Sequence, residues 1–370
     1  MKDQINIALR TLCGQAVAEG FCSGISAGVS LAGKKARFNC VYGCGSTRFD
    51  HLGQEVNEQT MFDLASLTKP LCTALSTFAL INAGLFTWQS ACLSRIDPDL
   101  PWEKKGISIE HLLGHASGLP AYQPYYQRFE PMVGRENSAT LLRLILAEPL
   151  IHPPGSQSIY SDLGFILLGR LIELYAGQPL DRFFRQAITE PLGLDRHLRF
   201  LPLGTVGQGE QECIAATEQC QWRQRILQGE VHDEHCWLMG GVAGHAGLFG
   251  TAGGVLSLCE HLLGCWRGRT SHPSFADGLL RQALEWRDDM GRWSLGFDRP
   301  TPGQSSSGRT FSPNSVGHLG FTGTSFWIDP ERELIVVLLT NRVHPSRENT
   351  NIRQFRPYFH DYLLEKTGLA

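Results

Sequence analysis

The sequence predicts an α+β protein in which an antiparallel sheet is assembled from both ends of the chain, flanked by helices, with a mostly helical region inserted between its halves. Two observations carry this reading. Short apolar, β-like runs occur near the N-terminus (Ile25 to Leu31, Ala36 to Tyr42) and again near the C-terminus (Trp293 to Phe297, Ser325 to Ile328, Leu334 to Leu339). The segments between them repeat apolar residues at helical spacing. Strands at both ends with helices between them require a sheet joined by segments remote in sequence.

In chain order, Ile5, Ala8, Leu9, Leu12, Ala16 and Val17 mark an amphipathic opening helix over residues 3–19. Gly33-Lys34-Lys35 is the turn between the first two strands. A long apolar helix runs from Ser66 to about Asn82 and stops at Gly84. Further helices are expected over Ile109 to Gly114, Ser138 to Ala147, Leu163 to Ala176 and Leu180 to Ile188. Residues 200–240 are polar and Gln-rich and follow neither period. Helix returns near Val255 to Leu263, Asp329-Pro330-Glu331-Arg332 turns between the last two strands, and a helix from about Asn351 to Lys366 closes the chain. Residues 1–60 and 250–370 are therefore expected to form one α/β sandwich domain and residues 61–249 a mostly helical one, with the active site at their junction.

Composition removes several function classes. With 42% hydrophobic and 19% charged residues, the 370-residue chain is not disordered. A net charge of −3 leaves no electrostatic footprint for nucleic acid or an anionic membrane, so the expected partner is a small molecule. Forty glycines without a Gly-X-Y period mean many tight turns. Eleven cysteines, an odd number with no Cys-x-x-Cys pair, argue against a disulfide framework. The first ten residues lack the apolar core of a signal peptide, and no run reaches 18 apolar residues. The expectation is a reduced, cytoplasmic enzyme without a cofactor.

Chemistry concentrates in Phe62-Asp63-Leu64-Ala65-Ser66-Leu67-Thr68-Lys69-Pro70. Proline is best tolerated in a helix's first turn, which fixes the helix start near Ser66. Ser-x-x-Lys then places hydroxyl and ammonium on one face, beside the free N–H groups of the helix end. A serine needs a partner to take its proton, and a lysine whose pKa is lowered can do so. The same two letters also arise by chance, with serine as a simple helix cap. Two later segments bear on the choice: Pro154 to Gly164, a turn-rich loop presenting Tyr160, Ser161 and Asp162, and Gly317-His318-Leu319-Gly320-Phe321-Thr322-Gly323-Thr324, whose glycines suit a strand edge approached by a ligand.

With these segments in view, the sequence resembles the serine β-lactamase and penicillin-binding-protein superfamily, in its class C-like branch, which also holds esterases and D-amino-acid peptidases. Ser66-Leu67-Thr68-Lys69 matches its Ser-x-x-Lys, Tyr160-Ser161-Asp162 its Tyr-x-Asn, and His318-Leu319-Gly320 the His-x-Gly form of its Lys-Thr-Gly. Leu112-Leu113-Gly114-His115-Ala116-Ser117-Gly118-Leu119-Pro120 is similar to this branch's Leu-Leu-x-His-x-Ser-Gly-Leu-Pro, and the resemblance runs from about residue 20 to 345. It implies a β-lactamase/transpeptidase-like fold. It also implies that Ser66 is acylated, that Lys69 and Tyr160 share the proton, and that the backbone N–H groups of Ser66 and Phe321 form the oxyanion hole. Asp162 and His318 would orient substrate and Tyr160, with Gly320, Tyr122 and His245 lining the pocket. Asp162 in place of Asn and His318 in place of Lys depart from the pattern. A protonated His318 paired with Asp162 would partly restore the lost polarity. The departures favour an esterase, D-aminopeptidase or muropeptide amidase over true antibiotic hydrolysis. The alternative is a penicillin-binding sensor, acylated without turnover.

Other letters compete. Gly24-Ile25-Ser26-Ala27-Gly28 fits the G-x-S-x-G nucleophile elbow, but that motif needs a strand before it and a helix after it, and here the order is reversed. His111 and His115 are spaced i, i+4 without the glutamate of H-E-x-x-H, so His115 is read as bonding backbone at a helix end. No catalytic metal is expected; His232, His235 and Cys236 are the place for an incidental one. Cys40 and Cys44 read as packed thiols.

Overall fold

The last strand shows why the two chain ends must meet. Leu334 to Thr340 is buried at every position, with Ile335, Val337 and Leu339 entering one core and Leu334, Val336 and Leu338 entering another. Such a strand needs helices on both faces. The computed structural model describes residues 2–32, 37–134, 136–303 and 305–368. The expected turn at Gly33-Lys34-Lys35, and Ala36, lie outside the described residues.

The chain opens with α1 (Lys2–Ala18), β1 (Gly24–Leu31), β2 (Phe38–Gly45) and β3 (Phe62–Asp63). The middle holds α2 (Leu75–Asn82), α3 (Ile109–Leu113), α4 (Asn137–Ala147), α5 (Asp162–Ala176) and α6 (Leu180–Phe184). β4 (Leu198–Phe200), α7 (Gln208–Glu212), β5 (Gln219–Cys220), β6 (Arg225–Ile226), α8 (Glu234–Leu238), β7 (Leu248–Gly250) and α9 (Ala252–Trp266) follow. The chain ends with α10 (Asp277–Glu285), β8 (Trp293–Ser294), β9 (Phe297–Asp298), β10 (Val316–Leu319), β11 (Ser325–Asp329), β12 (Leu334–Thr340) and α11 (Ile352–Thr367). One sheet has the order β2-β1-β12-β11-β10-β9-β8, with every neighbour antiparallel. β1 and β12 join the chain ends, Ile25 lying opposite Thr340 and Leu31 opposite Leu334. Helices α1 and α11 cover one face with Leu9, Leu12, Phe359 and Leu363, and α9 covers the other. The expected α+β architecture is what the chain adopts. A small sheet, β3-β7-β4, lies at the base of the helical region.

Two elements differ from the sequence reading. Trp293 to Phe297 is a tight hairpin, not one strand, because Gly296 takes φ +85°, and a Cβ there would sit 2.5 Å from the Ala74 Cβ. The helix expected from Ser66 opens as a 3₁₀ turn (Ala65–Leu67), widens into a π turn (Lys69–Ala74), and becomes regular only in α2. Pro70 has no N–H to give to the Ser66 carbonyl, so the first turn closes through the Thr68 N–H instead. Residues 200–240 hold α7, the β5–β6 hairpin and α8, elements too short to leave a period in the sequence.

Candidate active site

Ser66 sits just past a strained turn. Ala65 takes φ +49°, a conformation that costs a residue with a side chain about 1–3 kcal/mol. The buried Asp63 carboxylate holds the turn, accepting from the Ala65 N–H at 2.8 Å and from the His232 N–H at 2.7 Å. Burial pushes the Asp63 carboxyl up, and these two donors pull the other way. Thr68 donates to the Ala65 carbonyl at 2.6 Å and accepts from the Leu248 N–H at 3.1 Å, tying the turn to β7.

One helical turn on, the fully buried Lys69 ammonium reaches Ser66 Oγ at 3.0 Å, Asp162 Oδ1 at 2.7 Å and the His245 carbonyl at 3.2 Å. Burial alone would lower the Lys69 pKa, but Asp162 and then Tyr160 outweigh it, and the net shift is upward. Lys69 is thus held as an ammonium, not released as a free amine. Tyr160 lies beside it, its ring centroid 4.7 Å from Lys69 Nζ, and burial raises its hydroxyl to about 12 against the pull of Lys69. The helix N-terminus that delivers Asp162 is capped by Ser161, whose hydroxyl accepts from the Gly164 N–H.

The opposite wall is the β10–β11 turn. Gly320 leaves no room for a side chain: a Cβ would lie 1.9 Å from Thr324 Oγ1 and 2.6 Å from the Leu64 carbonyl. Thr322 donates to the Asp63 carbonyl at 2.7 Å and Thr324 to the Leu64 carbonyl at 3.0 Å, so this turn is pinned to the residues just before Ser66. The Gly320 carbonyl accepts from buried Arg356 of α11 at 2.6 Å. Arg356 thereby fixes the peptide between Gly320 and Phe321, both of which line the pocket.

His318 does not meet the expectation of a protonated partner for Asp162. Its Nδ1–H donates to the Leu319 carbonyl at 2.8 Å, and burial followed by the Lys69 charge lowers its pKa to about 3. The ring is neutral and faces Tyr160 at 5.9 Å between centroids, while Asp162 pairs with Lys69. His245 lines the cavity as expected, with its carbonyl holding Lys69 and its ring turned to Asp233 at 2.8 Å. Ser66, Tyr122, Tyr160, Asp162, Gly320 and Phe321 all line one cavity of ≈ 620 Å³.

Sequence reasoning missed Asp63, Thr322, Thr324 and Arg356, whose roles depend on contacts between remote segments. His115 bonds backbone as expected, its Nδ1 accepting from the Ser161 N–H at 3.1 Å, and its ring backs Tyr160 at 4.8 Å. Ser26 of the G-x-S-x-G sequence is buried inside β1 with no turn beside it. Ten of the cysteines, all but Cys265, are free thiols. His232, His235 and Cys236 do not converge: His232 Nε2 meets Glu218 at 3.1 Å and Cys236 Sγ donates to the Ala246 carbonyl at 3.2 Å.

A profile of the Beta-lactamase family matches residues 16–356. The chain belongs to the Beta-lactamase family. Among its relatives in that family, a protein named "Putative D-alanyl-D-alanine carboxypeptidase" from Salmonella agona (strain SL483) is 34% identical over 319 residues, spanning 79% of this chain and 72% of that protein. EstCE1, a hydrolase with promiscuous acyltransferase activity, superposes with a TM-score of 0.75 at 21% identity, over 98% of this chain and 99% of its own. A class C beta lactamase superposes at 0.73 with 16% identity, over 98% of each chain. These likenesses establish the β-lactamase-like fold, and the family makes this chain a serine hydrolase. Among the described residues no helix is long and apolar enough to cross a membrane.

Proposed function

We propose that this Beta-lactamase-family hydrolase cleaves an ester or amide through an acyl-enzyme on Ser66. The observation that carries this reading is the buried contact of Lys69 Nζ with Ser66 Oγ at 3.0 Å, at the floor of a cavity large enough for a small substrate. The Lys69 ammonium has three protons. Asp162 and the His245 carbonyl only accept and take two, leaving the third for the Ser66 and Tyr160 oxygens. The Ser66 O–H then points at Tyr160, which, once ionised to the phenolate beside the Lys69 ammonium, receives the proton as Ser66 attacks and returns it to the leaving group. The N–H groups of Ser66 and Phe321 receive the oxyanion, each such donor contributing about 3–4 kcal/mol in the transition state. The substrate class we favour is a short peptide of the peptidoglycan type ending in a carboxylate. The name of the Salmonella relative supports it, as does Arg353, an exposed cation on the pocket wall with no ion pair among the described residues.

A second reading, acylation without turnover, is favoured by one feature. The Asp162–Lys69 pair holds Lys69 as an ammonium, so no free amine is at hand to activate the water that deacylation needs. One experiment separates the two. Intact-mass spectrometry with peptide mapping after a fluorophosphonate or a penicillin should place the adduct on Ser66. A chromogenic short-chain ester and a D-alanyl-D-alanine peptide should each be followed over many turnovers. Sustained product release supports the hydrolase, and a single stoichiometric burst supports the sensor. Ser66→Ala should keep its fold and lose at least about a thousandfold in kcat/KM; activity above that level removes Ser66 as the nucleophile.

A further inference from the structure

Asp233 and His245 line the same cavity, and with buried His235 they bring a carboxylate oxygen and two imidazoles together, one ligand atom from each lying within 4.8 Å of the others. Each is delivered by a constrained element. Asp233 caps α8, its Oδ1 accepting from the Cys236 N–H at 2.7 Å, and His235 follows in that helix's first turn. His245 rides on a loop wedged against α5, where a Cβ on Gly244 would fall 2.1 Å from the Phe165 carbonyl. His245 Nε2 already meets Asp233 Oδ1 at 2.8 Å. The telling member is His235: 1% exposed, it has both ring nitrogens without a hydrogen-bond partner, as is His245 Nδ1. A buried polar group left unpaired costs about 1–3 kcal/mol. The rings of Tyr122 at 5.2 Å and Tyr126 at 6.1 Å wall His235 in without supplying that partner.

We infer that Asp233, His235 and His245 form a binding site for one divalent transition-metal ion of the zinc class, whose remaining coordination position faces the acyl pocket. Two imidazoles and one carboxylate form a three-ligand set that suits zinc, leaving a further position open, and imidazole disfavours magnesium or calcium. Ligand atoms on a tetrahedral zinc lie about 3.3–3.5 Å apart given bonds near 2.0–2.2 Å, so the present triangle must contract modestly. As the metal replaces the hydrogen bond to Asp233, the His245 proton moves from Nε2 to Nδ1, so that a neutral imidazole ligates through Nε2. The ion would join α8 to the loop whose carbonyl holds Lys69 at 3.2 Å, and would place a cation where an anionic substrate group can ligate it.

The test uses the full chain, stripped with a chelator and carrying Cys213→Ser to remove an exposed thiol that could bind zinc on its own. Calorimetric titration should show one zinc per chain. Cobalt in its place should give a visible ligand-field spectrum without a thiolate charge-transfer band. His235→Ala and Asp233→Asn should each weaken binding at least about tenfold, while the metal-free thermal midpoint of Asp233→Asn, which keeps a helix-capping side chain, stays near that of the parent. Zinc affinity untouched by both substitutions, a thiolate band, or no stoichiometric uptake from micromolar zinc would each overturn the site. Because the readout is metal binding, it stands or falls apart from the acyl-enzyme reading.

Discussion

Asp162 is the residue whose letter was legible and whose partner was not. The sequence exposes it as an acid where the family pattern carries an amide, and suggests that it faces substrate and a charged His318. In the fold it faces Lys69, because the cap at Ser161 and the π turn at Lys69–Ala74 bring Asp162 Oδ1 and Lys69 Nζ within 2.7 Å. That carboxylate raises Tyr160 as well as Lys69. Asp162→Asn removes the negative charge but leaves the ammonium, so the Tyr160 hydroxyl should ionise more easily. The expected result is that the alkaline rise in the pH profile of kcat/KM moves down by about one unit or more. A profile that stays put or moves up removes Tyr160 from the proton path. His318 adds no inflection near pH 6.5, since a group whose pKa lies at about 3 is neutral throughout an ordinary assay range.

At the level of elements, β1, β2, β11, β12 and the long helices were readable because burial writes a period into the sequence. Strand β12 is buried on both faces, and its unbroken apolar run says so. The nucleophile turn and the oxyanion turn were readable only as letters. The left-handed Ala65 follows from Asp63, and the peptide between Gly320 and Phe321 is oriented by Arg356 from a helix 36 residues further on. No local period encodes either contact. Arg356→Met should therefore lower kcat by about a hundredfold while leaving KM largely unchanged, because a misaimed Phe321 N–H weakens only the oxyanion. A variant that raises KM and spares kcat would show that Arg356 serves substrate binding instead. Gly320→Ala tests the same turn by volume. Its Cβ would collide with Thr324 and the Leu64 carbonyl, so a loss of about 2 kcal/mol or more in unfolding free energy is expected, together with activity. Wild-type stability in that variant would contradict the close packing of the two turns.

For the whole molecule, the join between chain ends was legible from the distribution of strands, and it places several buried histidines where no proton can reach them cheaply. His318 on β10 and His360 on α11 both have pKa values lowered to about 3, first by burial and then by Lys69 and Arg356 respectively. The unfolded chain takes up these protons below about pH 6.5, and the folded chain does not until about pH 3. Between those limits the unfolded state holds more protons, so stability falls as pH drops through the window. Asp298 works the other way. Burial raises its carboxyl to about 7, so the folded chain binds that proton first and gains stability on acidification. From pH 7 to 5 His318 and His360 each cost about 2 kcal/mol and Asp298 returns about 2, while His115 and His272, also lowered by burial, deepen the loss, so the net is a loss of at least about 2 kcal/mol. Denaturant titrations at pH 7 and pH 5 should show that loss, seen also as a thermal midpoint lower by a few degrees. His360→Leu removes one histidine whose ring packs against Phe311 and Phe359, and should shrink the difference by about 2 kcal/mol. If acidification stabilises the parent protein instead, Asp298 dominates and the buried histidines are more accessible to protons than their packing implies.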